Sequence, residues 1–327
     1  MYKVLDHYYL YLKNNCYAVV VGNTHSNSFI IGYVKYCGSS RETIWCSKYD
    51  CYERLVKYYD KREVYNSTPW KTFIPNYGSE TPIIPISMIS KVYDPRYRVK
   101  EIIEKPRDIL EKNCLEILFE LCRNIRLDSI GLTGTLLIGI HNPKYSDIDL
   151  VIYDLRDSRD TIEFIVENPS LFKSLSGDRL KKWCERVFKV TNIDPKTIYK
   201  LYRVWRRGLF NDIEYSFIFN KGVFEYIDNG EKWVSIGVFE GFIEFESSLD
   251  ALNYPSKGFI NKWVYRKGFK PRSDLEYVLS FETLFTPLFY EGGKCITRSL
   301  LQYNPLKDTY RLLIGVYEQH TYIELID

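Results

Sequence analysis

Two aspartates set two residues apart in an apolar run, Asp147 and Asp149, constrain this chain more than any other feature. From Asp147 through Leu150 polar and apolar residues alternate, and Ile148, Leu150 and Ile152 share the face opposite the aspartates, the pattern of a strand with one buried face. Residues two apart on a strand point to the same side, with Cα atoms about 6.5 Å apart. Both carboxylates then converge on one patch, at a spacing suited to hard, oxygen-seeking cations such as Mg²⁺. Upstream, Gly131-Leu132-Thr133-Gly134-Thr135 reads as a strand running into a short helix, with eleven residues between Thr135 and Asp147. A glycine at such a turn lets the backbone approach a triphosphate, and the free N–H groups of a helix start favour anions. The Thr135 hydroxyl supplies one further donor.

A cation site for phosphoryl transfer needs a third acid from a neighbouring strand. The run Asp212-Ile213-Glu214-Tyr215-Ser216-Phe217 offers two, since Asp212, Glu214 and Ser216 share one face. Glu214 is preferred because apolar residues flank it. Asp212 sits where a helix is expected to give way to the strand, and turn chemistry explains it equally well.

Taken together, the order of strand, Gly-Thr, helix, loop, Asp-x-Asp strand and later acidic strand resembles the DNA polymerase β-like nucleotidyltransferase superfamily. The motif of that superfamily is Gly-[Gly/Ser], about nine to thirteen residues, then Asp-x-[Asp/Glu], with a third acid on a later strand. Gly134-Thr135, Asp147 and Asp149 match it, and the likeness spans residues 108–219. Within the superfamily the chain looks most like the archaeal predicted nucleotidyltransferases that carry extra flanking domains. Thr135 stands where Ser is commoner, and Glu214 stands where Asp is usual, after a long helical insertion. The resemblance implies catalysis at Asp147, Asp149 and Glu214, with the same three holding two Mg²⁺ or Mn²⁺ ions. It further implies a nucleoside triphosphate on Gly134, Thr135, Ser146, Lys144, Arg203 and Arg207, whose nucleoside monophosphate passes to a hydroxyl acceptor, with RNA or DNA slightly favoured. The alternative is an inactive member of the same fold that binds nucleic acid or serves as a scaffold. A glycosyltransferase built on the Asp-x-Asp pair leaves the Gly-Thr turn without a role.

Lys196, Lys200, Arg203 and Arg207 recur at helical spacing, opposite Ile198, Leu201, Trp205 and Leu209, which predicts one helix over 195–209 with a basic stripe. Near the C-terminus, Lys262, Arg266, Lys267, Lys270 and Arg272 interleave with Trp263, Tyr265 and Phe269, a composition suited to stacking single-stranded nucleic acid or to an ordinary exposed strand. His25, His141 and His320 are scattered and none is assigned a catalytic role.

The overall fold class is α+β. A small α+β domain is expected over 1–94, with a helix near Lys48–Tyr59. A nucleotidyltransferase-type mixed sheet with a helical insertion follows over 95–221, then an all-β barrel or sandwich over 222–327. The 327 residues carry a net charge of +3, too balanced to demand nucleic acid. No run of about 18 apolar residues exists and the start lacks an apolar leader, so a cytoplasmic protein with no membrane segment is expected. Its eight cysteines form no C-x-x-C pair and no zinc spacing, which reads as mostly free thiols.

Overall fold

The computed structural model describes residues 3–227, 231–318 and 321–326, so His320 lies outside the described residues. The chain is mixed α+β, with more strand (38%) than helix (28%), as its runs of β-branched and aromatic residues favour. Strands β1 (Tyr9–Leu12), β2 (Cys16–Val20), β3 (Thr24–His25), β4 (Phe29–Ser39) and β5 (Cys51–Arg54) come first. A short helix α1 (Lys61–Asn66) and strands β6 (Lys71–Ile74), β7 (Ser79–Pro85) and β8 (Ile89–Tyr93) follow. Helices α2 (Pro95–Glu104) and α3 (Ile109–Leu121) lead to β9 (Ile130–Leu132), the single-turn α4 (Gly134–Ile138) and β10 (Ile148–Tyr153). Helices α5 (Leu155–Glu167), α6 (Gly177–Thr191) and α7 (Pro195–Leu201) precede β11 (Arg207–Phe210) and β12 (Ile213–Asn220). The remainder comprises β13 (Glu225–Tyr226), β14 (Val234–Phe245), β15 (Ser256–Gly268), β16 (Leu275–Ser280), α8 (Thr286–Glu291), β17 (Gly293–Asn304), β18 (Thr309–Ile314) and β19 (Tyr322–Leu325).

Contacts divide the chain into two compact units that interleave along the sequence. The first gathers Met1–Lys57, Ile84–Arg179 and Arg203–Glu225, and the second Tyr58–Ile83, Leu180–Tyr202 and Tyr226–Asp327. Three consecutive domains are what the linear pattern suggests, but burial joins the segments differently. Within the first unit, Asn23 and Asn220 exchange buried side-chain amide hydrogen bonds (2.8 and 3.0 Å). The Tyr153 hydroxyl donates to the Asp6 carbonyl (2.8 Å), and the Thr133 hydroxyl to that of His7 (2.8 Å).

The sheet that positions the site has the order β11-β12-β10-β9. Strands β10 and β12 run parallel, while β9 and β11 are antiparallel to their neighbours. Aspartates start the flanking helices: Asp94, Asp108 and Asp154 each accept from backbone N–H groups of the first turn, the preferred cap chemistry. Asp94-Pro95, which reads as a boundary, is instead the cap and first residue of α2, where proline loses no hydrogen bond. Helix α3 buries Leu110, Cys114, Ile117, Leu118 and Leu121, the stripe its spacing predicts. The first unit also holds an antiparallel sheet in which β1 pairs with β2 and β8, and β4 with β2 and β5. The helix expected near Lys48–Tyr59 is absent there. Pairing of Cys51–Arg54 with β4 makes it a strand, and the first helix begins only after the Asp60 cap.

In the second unit β14, β15, β16, β18 and β17 close into a five-stranded barrel through the β14–β17 pairing. Phe239, Ile243, Phe245, Val278, Phe289, Leu301 and Leu312 fill it. Trp183, Cys184 and Val187 of α6, with Ile198 and Leu201 of α7, pack on this same core. These helices are an insertion in sequence but supply apolar faces to the second unit.

Two corrections follow from pairing that linear spacing hides. Helix α7 stops at Leu201 instead of reaching Leu209. Asn211 and Asp212 both take positive φ (49° and 61°), the two-residue turn that suits a hairpin, and the hairpin draws Arg207–Phe210 into β11. The basic stripe is therefore broken, with Lys196 and Lys200 on α7, Arg203 beyond its end and Arg207 on a strand. Similarly, Cys16–Cys37 and Cys46–Cys51 are disulfides, so half of the eight cysteines are not free thiols. Cys16 and Cys37 lie directly opposite on β2 and β4, which no short cysteine motif reveals.

Candidate functional site

Strand pairing places the acidic side chains. Asp149 on β10 lies opposite Ser216 on β12, and Ser216 lies opposite Arg207 on β11. Directly paired residues face the same side of a sheet, so Asp149, Ser216 and Arg207 form a row across three strands. Asp147 and Glu214, each two residues before a member of the row, project to the same side. The alternation that buries Ile148, Leu150 and Ile152 leaves Asp147 and Asp149 partly exposed.

Arg207 sits among the acids. Its Nη1 reaches Asp147 Oδ2 (3.3 Å) and Glu214 Oε2 (3.0 Å), while the three side chains retain 24%, 38% and 31% exposure respectively. Ser216 Oγ donates to Asp149 Oδ1. The carboxyl of Asp149 is pushed above the ordinary carboxylate range by burial and then by the neighbouring Asp147 charge. The Ser216 hydrogen bond, Arg207 and Lys35 oppose that shift. Burial disfavours the Arg207 cation, but Asp147, Asp149 and Glu214 outweigh it and raise its pKa. The adjacent Arg206 is lowered to about 10 by burial and by the charge of Arg207.

The turn before α4 lies against this cluster. Gly134 has φ +66°, and a Cβ on it would meet Asp149 Oδ2 at 2.5 Å. Only glycine allows the carboxylate and backbone to approach so closely. Thr133 N–H donates to the Asp149 carbonyl (2.9 Å), tying turn to strand. The Thr135 hydroxyl donates to Ser146 Oγ (3.4 Å), which also accepts from Asn142 N–H (3.0 Å). These bonds fix the loop between Gly-Thr and Asp147.

Of the residues expected in the site, Asp147 and Glu214 are joined through Arg207 and Asp149 lies against Gly134 on the same sheet face, though oxygens of the three carboxylates do not all come within 4.8 Å of one another. Thr135 and Ser146 brace the loop beside them. Lys144 is exposed, with Nζ over the Tyr145 ring (5.3 Å). The Arg203 carbonyl accepts from the N–H groups of Arg206 and Arg207 (3.0 and 3.2 Å), closing the turn before β11. Asp212 is the second residue of the hairpin turn and its carbonyl accepts from Arg179 (3.3 Å). Ser216 was the missing partner, and its place on the face of Glu214 was readable from alternation.

A second cluster joins Asp108, Glu111 and His141, with ligand-type atoms within 4.8 Å of one another. Glu111 already accepts from Arg98 and from Arg107 (2.7 Å), and His141 Nε2 is 2.7 Å from Asp108. Two guanidinium groups at the shared carboxylate oppose a metal ion there.

The donor set at Asp147 and Asp149 does suit one. It consists of hard carboxylate oxygens, partly open to solvent, with a single guanidinium, that of Arg207, at Asp147 and none at Asp149 among the described residues. Elsewhere, Trp263 and Tyr265 pack against the barrel core, whereas Lys262 and Arg266 are exposed on the other face of β15. Of the three aromatics in this run, Phe269 is exposed. No helix among the described residues is long and apolar enough to cross a membrane.

Comparison with models of protein families, with curated proteins and with solved structures finds no match to this chain.

Proposed function

We propose that the chain is a metal-dependent nucleotidyltransferase, moving a nucleoside monophosphate from a triphosphate to a hydroxyl acceptor with release of pyrophosphate. The observation that supports this most is the gathering of Asp147, Asp149 and Glu214 on one sheet face against the Gly134 turn. Asp147 and Asp149 would hold a divalent ion, which would supply charge neutralisation for the triphosphate and its pyrophosphate leaving group. The chain's own part is alignment. Gly134, lacking a Cβ, lets the turn that opens α4 lie directly against the Asp149 carboxylate. Thr135 and Ser146 hold the loop in place, and Ser216 fixes one oxygen of Asp149 so that the other faces the turn. Arg207 adds a positive charge beside Asp147 and Glu214. Fixed charges in a partly dehydrated site act without reorganisation, the main source of rate in phosphoryl transfer.

The test is incorporation of radiolabelled nucleoside triphosphates into RNA, DNA, protein and small hydroxyl acceptors, with Mg²⁺ and with Mn²⁺. Asp149→Asn is expected to abolish incorporation while leaving the thermal transition in place. Unchanged turnover in that variant overturns the assignment. A second reading, a catalytically silent protein of the same type that binds nucleic acid or scaffolds, draws on the Arg207 ion pairs, which neutralise part of the carboxylate cluster. It predicts nucleotide or nucleic-acid binding with no incorporation under any of these conditions.

A further inference from the structure

We infer that Arg207 stands in for one of the two cations expected at this site, so that the chain binds a single divalent ion, on Asp147 and Asp149. The inference rests on the nucleotidyltransferase reading and deepens it. One nitrogen, Nη1, touches Asp147 Oδ2 and Glu214 Oε2 at 3.3 and 3.0 Å. Arg207 thus supplies the balancing positive charge between one member of the Asp-x-Asp pair and the acid of β12, where a second cation would otherwise be needed. Asp149 is arranged differently. No guanidinium is within ion-pair distance of it among the described residues. Instead Ser216 takes Oδ1, while Oδ2 faces the Gly134 turn.

Charge counting agrees with a division of labour. Three carboxylates carry three formal negative charges and Arg207 returns one positive charge. One divalent ion completes neutrality, whereas two would leave the cluster with a surplus of two positive charges before any phosphate entered.

Arg207 is also not a loose surface chain that could drift away. Its backbone is locked opposite Ser216 in the β11–β12 hairpin, and the Asn211-Asp212 turn sets that register. A one-residue slip would move the side chain to the opposite face. A guanidinium is permanently charged and offers a planar fork of donors, so it can hold two carboxylates as a metal does, although it cannot lower the pKa of a bound hydroxyl as a metal can. The acceptor hydroxyl at this site must then lose its proton to a side-chain base or to bulk water. Glu214, pinned by Arg207, is a positioning residue for that cation and not a metal ligand.

The experiment is Mn²⁺ titration followed by the electron paramagnetic resonance of the free ion, on the full chain. Wild type is expected to take one ion per chain, and Arg207→Met to gain a second. Asp149→Asn should weaken the wild-type ion by about tenfold or more, while Glu214→Gln should change it by less than about threefold. Arg207→Lys keeps the charge, and is expected to stay at one ion even where Arg207→Met proves too unstable to purify. Two ions in wild type, a folded Arg207→Met that still takes only one, or a loss on Glu214→Gln equal to that on Asp149→Asn, overturns the inference and leaves the transferase reading standing. Absence of any bound ion in wild type removes both.

Discussion

Gly134→Ala tests whether the turn and the carboxylate are packed as closely as the geometry requires, and Gly139→Ala supplies its control. Both glycines have positive φ, +66° and +70°, so alanine at either is strained, by about 1–2 kcal/mol. Their surroundings differ. A Cβ on Gly139 meets nothing within 4 Å, whereas one on Gly134 meets Asp149 Oδ2 at 2.5 Å, far inside contact distance. The Asp149 side chain must rotate, giving up the Ser216 hydrogen bond. A hydrogen bond to a charged group contributes about 1.5–3 kcal/mol, to be discounted here because Asp149 is not fully enclosed. Gly139→Ala should therefore cost about 1–2 kcal/mol, and Gly134→Ala about 2–4 kcal/mol. For a unit of this size each kcal/mol lowers Tm by about 2–4 °C. Calorimetry of the two variants, paired with Mn²⁺ titration, reads both consequences. Gly134→Ala should lose ion binding and Gly139→Ala should keep it. Equal stability and equal Mn²⁺ affinity in the two variants would refute the packing argument.

Four further outcomes are expected elsewhere. Glu282 is raised to about 7, chiefly by burial, with Lys61 opposing. A carboxyl that holds its proton more tightly when folded stabilises fully below the unfolded value near 4.5, and that contribution is lost as pH rises through about 7. Chemical denaturation across pH 4–8 should show the decline, and Glu282→Gln should flatten it. His25 is lowered to about 4 by burial, so it stays neutral in the fold. Its contribution is intact above about pH 6.5 and falls as pH drops toward 4, a loss that His25→Gln should reduce in the same titration. Arg311 is buried against the Trp233 ring (4.1 Å) and donates to Gln302, Tyr277 and the Asn76 carbonyl. Arg311→Met should lower the urea midpoint of the second unit by the equivalent of about 2–4 kcal/mol, because the stranded acceptors remain buried. Loss of the Cys16–Cys37 disulfide frees a loop with a sequence separation of 21 and should cost about 3 kcal/mol, seen as a lower Tm of a Cys16→Ala, Cys37→Ala double variant under non-reducing conditions.

Much of the site was legible because strand alternation has a period of two. Asp147 with Asp149, and Glu214 with Ser216, declare their shared faces from spacing alone. The preference for Glu214 over Asp212 follows from the same logic, and the structure puts Asp212 in a turn with positive φ. Arg207 was misread for an instructive reason. At 195–209 the helical period fits the charges, but the Asn211-Asp212 turn lets Arg207–Phe210 find hydrogen bonds in β12, and pairing overrides a local preference. The cysteine partners were equally hidden, since cross-strand register between β2 and β4 is not encoded in cysteine spacing.

By itself, then, the linear order of residues determined that Asp147 shares a face with Asp149, that Glu214 shares one with Ser216, and that a glycine stands at the turn between strand and helix. These are local properties, settled within a few bonds of the residue concerned. Tertiary structure alone decided that β10 lies between β9 and β12, that Arg207 enters the carboxylate cluster, and that α6 and α7 serve the barrel. Each of those depends on which distant segments bury surface together, and that competition is resolved only when the whole chain excludes water at once.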